Sequence, residues 1–303
     1  MSKPLFAPIT LSVVLGSLSV AAAAPPVVGG TPAKAEQWPD VVAVLAPNGA
    51  CSGTLIAPDV VLTAGHCTTE ITPTMVVVDT IDYGKPGGEL IAVKAVHPYP
   101  KWESTYDVGV LVLARAAKAK PRAIARACNL DGAAATVRVV GFGLTSTAGT
   151  GGNTRLHQAV LPIDDARCTE SPDCNAAVAP DGEFVAGGAG TDSCFGDSGG
   201  PAFLGTKTPA LLGVVSRGLA LPGRPCGNGG IYVRADKVVA WIERTTGRTI
   251  TRASCTGAAD EEPVVVEDGA QSDGCSAGGA VADGIGLVVL LPGLVWRRKK
   301  LKK

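Results

Sequence analysis

Three short segments carry side chains that together could perform nucleophilic catalysis. They are Thr63-Ala64-Gly65-His66-Cys67, Asp107-Val108-Gly109-Val110-Leu111 and Gly196-Asp197-Ser198-Gly199-Gly200-Pro201. A serine hydroxyl is a poor nucleophile at neutral pH. It needs a base within hydrogen-bond reach, and an imidazole suits that pH. A buried carboxylate would hold the imidazole in one tautomer and stabilise its charged form. His66, Asp107 and Ser198 supply these three types. Glycines around Ser198 let the backbone turn sharply and present N–H groups to an oxyanion. The chemistry implied is acyl transfer.

Gly196-Asp197-Ser198-Gly199-Gly200 also fits the G-x-S-x-G pattern of α/β-hydrolases, in which the acid and then the histidine follow the serine. The histidines stand at 66, 97 and 157, and none follows Ser198. That triad cannot be built here. In the subtilisin order the acid precedes the histidine, but Glu36, Asp40 and Asp59 lie in no comparable motif. The order His, Asp, Ser, separated by 41 and 91 residues, is that of the chymotrypsin template.

On these motifs the chain from Val27 to about Ile250 resembles a trypsin-like serine protease of the chymotrypsin family. The resemblance implies His66, Asp107 and Ser198 as the catalytic triad, with the N–H groups of Gly196 and Ser198 as the oxyanion hole. Val27-Val28-Gly29-Gly30 resembles the mature N-terminus of the family, whose freed ammonium pairs with the aspartate before the nucleophile, here Asp197. Ser216 matches the serine that hydrogen-bonds the triad aspartate. Asp192 matches the floor of the primary pocket, with Gly218 and Gly230 as its walls. A carboxylate at the end of a narrow slot needs a cation to offset its desolvation, so cleavage after Arg or Lys is expected. Cys51-Ser52-Gly53-Thr54-Leu55-Ile56 resembles the strand facing the histidine loop. The implied bridges are Cys51–Cys67 and Cys194–Cys226.

Some positions depart from the family pattern. Arg217 stands where tryptophan is usual, in the subsites beside the primary pocket, and a cation there would favour acidic neighbours in the substrate. Pro26, not Arg or Lys, precedes Val27. Val185 stands where the usual partner of Cys168 would be, so a small Cys168–Cys174 loop is expected. Cys128 and Cys255 could pair, which leaves Cys275 single.

Positioning these groups requires strands. Short valine-rich runs separated by Gly, Pro, Asp or Asn recur at Val41–Leu45, Val60–Thr63, Met75–Val78, Ile91–Val96, Val108–Leu113, Val137–Val140, Leu211–Val215 and Ile231–Val233. Such spacing means an all-β sandwich or barrel. No βα alternation is visible, which argues against a doubly wound sheet. One helix is expected near the end, capped by Asp236, with Val238, Val239, Trp241 and Ile242 as its apolar face and Gly247 as its stop. The fold expected from motifs and strands together is two packed antiparallel β-barrels with a C-terminal helix. His97 and His157 read as a strand-end and a surface-loop residue, and Trp38, Trp102 and Trp241 as packing residues.

The remaining segments address location. The chain has 303 residues, 46% of them apolar, with 27 basic and 27 acidic side chains. A neutral body offers no basic field for nucleic acid. Lys3, the apolar run Leu5 to Val20 and the alanines at 21 to 24 read as a secretory signal peptide over 1–24, followed by a two-residue pro-segment, 25–26. Export permits disulfides in the nine-cysteine chain. After a protease domain at 27–250, residues 251–275 read as a flexible acidic linker. Residues 276–303 combine an apolar stretch with a tail, Arg297 to Lys303, that holds six positive charges. The stretch is near the length of a membrane span, but Asp283 and Pro292 interrupt it. With Cys275 it resembles the C-terminal sorting signals of myxobacteria and related exporters. That implies cell-surface or membrane anchoring; a surface-lying or disordered tail is the other reading.

The expected partners are therefore polypeptide substrates and protein protease inhibitors, with no metal and no organic cofactor. Two alternatives stand beside this reading: a catalytically silent adhesion or recognition module on the same fold, and a protease of non-tryptic preference.

Overall fold

The computed structural model describes residues 27–255 except 131–135, 206 and 220. The segments read above as signal peptide, pro-segment, all but the start of the linker, and apolar stretch with basic tail lie outside the described residues.

The strands, all paired antiparallel, form two barrels. The first is built from β2 (Val41–Ala46), β3 (Gly49–Ala57), β4 (Val60–Thr63), β5 (Met75–Val78), β6 (Glu89–Pro98) and β7 (Gly109–Leu113). It closes in the order β2-β3-β4-β7-β6-β5. The second comprises β8 (Thr136–Gly141), β9 (His157–Asp165), β10 (Glu183–Ala186), β11 (Pro201–Leu204), β12 (Ala210–Gly218) and β13 (Gly230–Arg234). Its order is β8-β9-β10-β13-β12-β11, returning to β8, and the two-residue β1 (Thr31–Pro32) pairs with the outside of β9. The expected all-β, two-barrel architecture is the one observed.

The continuous valine runs reflect burial on both faces. Along β2, Val42 and Val44 point into the first barrel, while Val41 and Ala43 join the layer between the barrels. The same alternation gives Val61 to the barrel interior and Val60 and Leu62 to the shared layer. In β12, Leu212 faces the second barrel and Leu211 and Val214 the shared layer. The shared layer thus welds the barrels into one body. Truncating a fully buried leucine such as Leu211 to alanine costs about 2–5 kcal/mol. At the seam Trp38 stacks on Phe203 at 5.0 Å, and Arg122, held by Asp40, covers the Phe203 ring at 4.7 Å.

The C-terminal helix, Val239–Thr246, follows a short first helix at His66–Thr69. Val239 and Ile242 pack into the shared layer, and Gly247 ends the helix with φ +66. Asp236 does not cap it. Its carboxylate is taken by Arg234 at 2.9 and 3.0 Å, and the cap position falls to Val238. Nor is His157 a surface-loop residue: it opens β9 and is 3% exposed. Burial pushes its imidazole down to about 4, so the ring is neutral. Four disulfides staple the structure: Cys51–Cys67, Cys128–Cys255, Cys168–Cys174 and Cys194–Cys226.

Candidate active site

The first barrel presents His66 and Asp107 to the cleft. β4 ends at Thr63, and His66 opens the first helix directly after Gly65. Glycine is required before the histidine, because a Cβ there would stand 2.8 Å from Trp102 and 3.0 Å from Asp107 Oδ1. Asp107 precedes β7 and is buried. Its Oδ2 lies 2.9 Å from His66 Nδ1, and its Oδ1 accepts the His66 backbone N–H at 2.9 Å. Ser216, from β12 of the second barrel, donates to Oδ2 at 2.7 Å. Burial pushes Asp107 up, but the hydrogen bonds from His66 and Ser216 outweigh it and hold the carboxyl below its ordinary value. Burial pushes His66 down. The hydrogen bond and charge of Asp107, with Glu70, outweigh it, and the imidazole rises above its ordinary value.

Ser198 arrives on the loop before β11. The Ser52 N–H, on β3, donates to its carbonyl at 2.9 Å, which docks the loop on the first barrel. Gly199 has φ +80, and a Cβ there would collide with Thr63 Oγ1 and Ser52 O, so only glycine passes this point. Gly196 also turns at positive φ, +93. Neither the Gly196 nor the Ser198 N–H has a partner among the described residues, which leaves two donors. The Ser198 hydroxyl makes no hydrogen bond to His66 within 3.5 Å, and that contact is not preformed.

Asp197, between these donors, is fully buried. It accepts the N–H groups of Gly143 at 2.8 Å and Cys194 at 2.9 Å, and no cation pairs with it among the described residues. Burial pushes its carboxyl up to about 7, opposed by those two hydrogen bonds and assisted by the charge of Asp192. Val27 is also fully buried and packs in the core of the second barrel. Val28 bridges to Asp192, accepting its N–H at 2.9 Å.

Asp192 lies beside the paired strands β12 and β13, where a Cβ on Gly230 would stand 3.2 Å from its Oδ1. Gly218 and Gly230, the expected walls, are register partners across these strands. Asp192 is 0% exposed, and its oxygens accept N–H groups from Ser193, Gly227 and Gly229. Burial pushes it up to about 6 against those hydrogen bonds. It too lacks a cation among the described residues. The Cys194–Cys226 bridge flanks it.

Comparison with known proteins decides the family. The family model described as Trypsin matches residues 27–242. A trypsin of Saccharopolyspora erythraea is 34% identical over 221 residues, covering 69% of this chain and 92% of the relative. The chymotrypsin-like elastase family member 1 of Macaca fascicularis is 30% identical over 242 residues, covering 72% of this chain and 89% of the relative.

The chain belongs to the trypsin family. It is a serine endopeptidase. The two relatives differ in name, one a trypsin and one an elastase-type protein, so membership alone does not set the cleavage preference of this trypsin-family chain.

Sequence reasoning missed several residues of the site. Ser52 bridges the barrels: its Oγ donates to the Gly196 carbonyl at 2.8 Å and accepts the Phe142 N–H at 3.0 Å. Glu183, on β10, is 1% exposed and binds both ends of the Arg217 guanidinium at 2.7 and 2.9 Å. Arg217 is therefore a paired cation. The available clue was Glu183 itself, a carboxylate in the otherwise apolar run Phe184-Val185-Ala186. The sulfurs nearest His66 and Glu183 are tied up as disulfides and offer no thiolate to a metal.

Proposed function

We propose that the protein is an exported endopeptidase that hydrolyses peptide bonds after Arg or Lys. The observation that carries this reading is the buried Asp192 carboxylate beside Gly230, held by hydrogen bonds from Ser193, Gly227 and Gly229 and without a cation among the described residues. A buried anion without a countercharge is costly, and a guanidinium or ammonium from the substrate offsets that cost.

The triad geometry supports a mechanism in steps. Ser198 attacks the peptide carbonyl, and His66 Nε2 takes the hydroxyl proton. Asp107, fixed by Ser216, holds the His66 Nδ1–H and stabilises the imidazolium. The Gly196 and Ser198 N–H groups receive the oxyanion. His66 then protonates the leaving amine, and water repeats the sequence on the acyl-enzyme. Side chains and backbone of this chain carry every step.

Activation follows from Asp197. A freed Val27 ammonium would supply the missing cation and hold the loop that carries the oxyanion donors. The family match beginning at residue 27 supports Val27 as the start of the mature protease. The same reading takes 1–24 as signal peptide, 25–26 as pro-segment, 27–250 as protease domain, 251–275 as linker and 276–303 as a surface-sorting or membrane-anchoring tail. Among the described residues no helix is long and apolar enough to cross a membrane. Polypeptides are the substrates, and protein inhibitors presenting Arg or Lys would engage the same carboxylate.

The test is hydrolysis of arylamides ending in Arg, Lys, Phe or Ala by the chain with a verified Val27 terminus, beside Ser198→Ala. Cleavage after Arg and Lys alone, lost in Ser198→Ala, is the expected result. Cleavage confined to Phe or Ala would overturn the specificity, and no cleavage at all would favour a silent recognition module.

A further inference from the structure

A cleft of about 330 Å³ opens beside the triad, lined by Trp102, Glu103, Thr105, Asn175, Ser216 and Arg217. Its second-barrel wall is an ion-pair clamp. Arg217 Nη1 donates to Glu183 Oε1 at 2.7 Å and to Ser216 Oγ at 3.2 Å. Nη2 donates to Glu183 Oε2 at 2.9 Å and to the Asp173 carbonyl at 2.9 Å. The small loop closed by Cys168–Cys174 anchors this wall. Asn175, directly after it, donates its backbone N–H to Glu183 Oε2 at 2.7 Å and its side-chain amide to the Thr105 carbonyl at 2.8 Å, which spans the cleft.

Glu183 is buried, while Arg217 is partly exposed toward the cleft. A buried carboxylate cannot release its cation without a large penalty. The Arg217 charge is thus neutralised before any substrate arrives. Across the cleft, Glu103 is exposed and pairs with no cation among the described residues. Asp107 is committed to His66 and Ser216. The unmatched charge of the cleft is therefore negative, and Trp102 adds an aromatic ring suited to a cation.

We propose that Glu183 determines specificity through Arg217: by holding both ends of the guanidinium it withdraws the cation from the cleft, which then takes basic or neutral side chains from the residues just before the cleaved position and disfavours acidic ones. The proposal rests on the reading that the protein cleaves after Arg or Lys. The substrate class it names is segments with adjacent basic residues.

The test uses the full chain with freed Val27 and arylamides ending in Arg, preceded by Lys, Ala or Glu, beside an arylamide of a single blocked arginine. The wild-type protein should favour Lys over Glu in kcat/KM by about fivefold, the upper range for an exposed charge pair. Glu183→Gln frees Arg217 and should move that ratio toward Glu by about tenfold, and adding Arg217→Gln should cancel the move. Equal rates for Lys and Glu in the wild type, or a ratio unmoved by Glu183→Gln, would overturn the proposal. If Glu183→Gln does not fold, Glu103→Gln decides: a Lys preference that it erases supports the proposal, and one that survives overturns it. Failure to cleave even the single-arginine arylamide overturns the Arg/Lys reading, and the proposal with it. Cleavage of that arylamide with no Lys preference sinks the proposal alone.

Discussion

A methyl group on Gly230 would stand 3.2 Å from Oδ1 of Asp192. The backbone at Gly230 is otherwise ordinary, without the positive φ that demands glycine. What this glycine protects is the space in front of the carboxylate. Gly230→Ala should therefore lower kcat/KM for Arg substrates by about tenfold or more, the cost of overfilling a tight site. The melting temperature should fall by only a few degrees, about 2–4 °C per kcal/mol of overpacking. An unchanged kcat/KM would place the substrate side chain elsewhere.

The second prediction concerns the triad carboxylate. Asp107→Asn should reduce kcat by about 10⁴, the loss seen in the chymotrypsin template when the imidazole tautomer is no longer imposed. Ser216→Ala removes one hydrogen bond to a charged acceptor. It should cost about ten- to a hundredfold, matching the roughly 1.5–3 kcal/mol of such a bond. Single-turnover acylation rates check both.

The buried charges make a prediction about pH and stability. In the form whose Val27 is not freed, Asp197 has a folded value near 7, far above the value of an unfolded aspartate. The folded state then binds more protons than the unfolded state between about pH 4 and 7, so this contribution is full below pH 4 and is lost as pH rises through 7. Asp192, raised to about 6, acts in the same sense. Asp107, held low, acts oppositely: its contribution is present above the ordinary carboxylate value and is lost as pH falls through its folded value. Asp197→Asn isolates one group. Its melting temperature relative to the uncleaved wild type should climb from pH 4 to pH 7, and a constant difference would contradict the assignment.

Activation should follow the N-terminus. Chain that retains Pro25-Pro26 ahead of Val27 lacks the ammonium for Asp197. It should be at least about a hundredfold less active, the scale of losing an oxyanion donor. Mass spectrometry of the mature terminus, paired with activity, checks this. Full activity with the prolines retained would contradict it.

Much of the fold could be read from residue pattern. Strands such as Val60–Thr63 and Met75–Val78 fall where their valine runs lie, because both of their faces are buried. Strands with polar residues were harder. β9 opens with His157 and Gln158, β10 with Glu183 and β11 with Pro201, and none announces itself by hydrophobicity. In the site, the residues near the three motifs were visible in the sequence. Glu183 was not seen as the partner of Arg217, because 34 residues separate them and only the register of β10, β13 and β12 brings them together. The Asp236 cap failed for a local reason. Arg234, two residues away, competes for the same carboxylate.

The central claim is that Ser198 is a nucleophile activated by His66. Its most direct test is trapping with an organophosphorus acylation mimic, followed by peptide mass spectrometry. With Val27 freed, one adduct should form on Ser198, and His66→Ala should abolish it while the protein stays folded. An adduct on another residue, or none on the folded and correctly processed wild-type protein, would contradict the account.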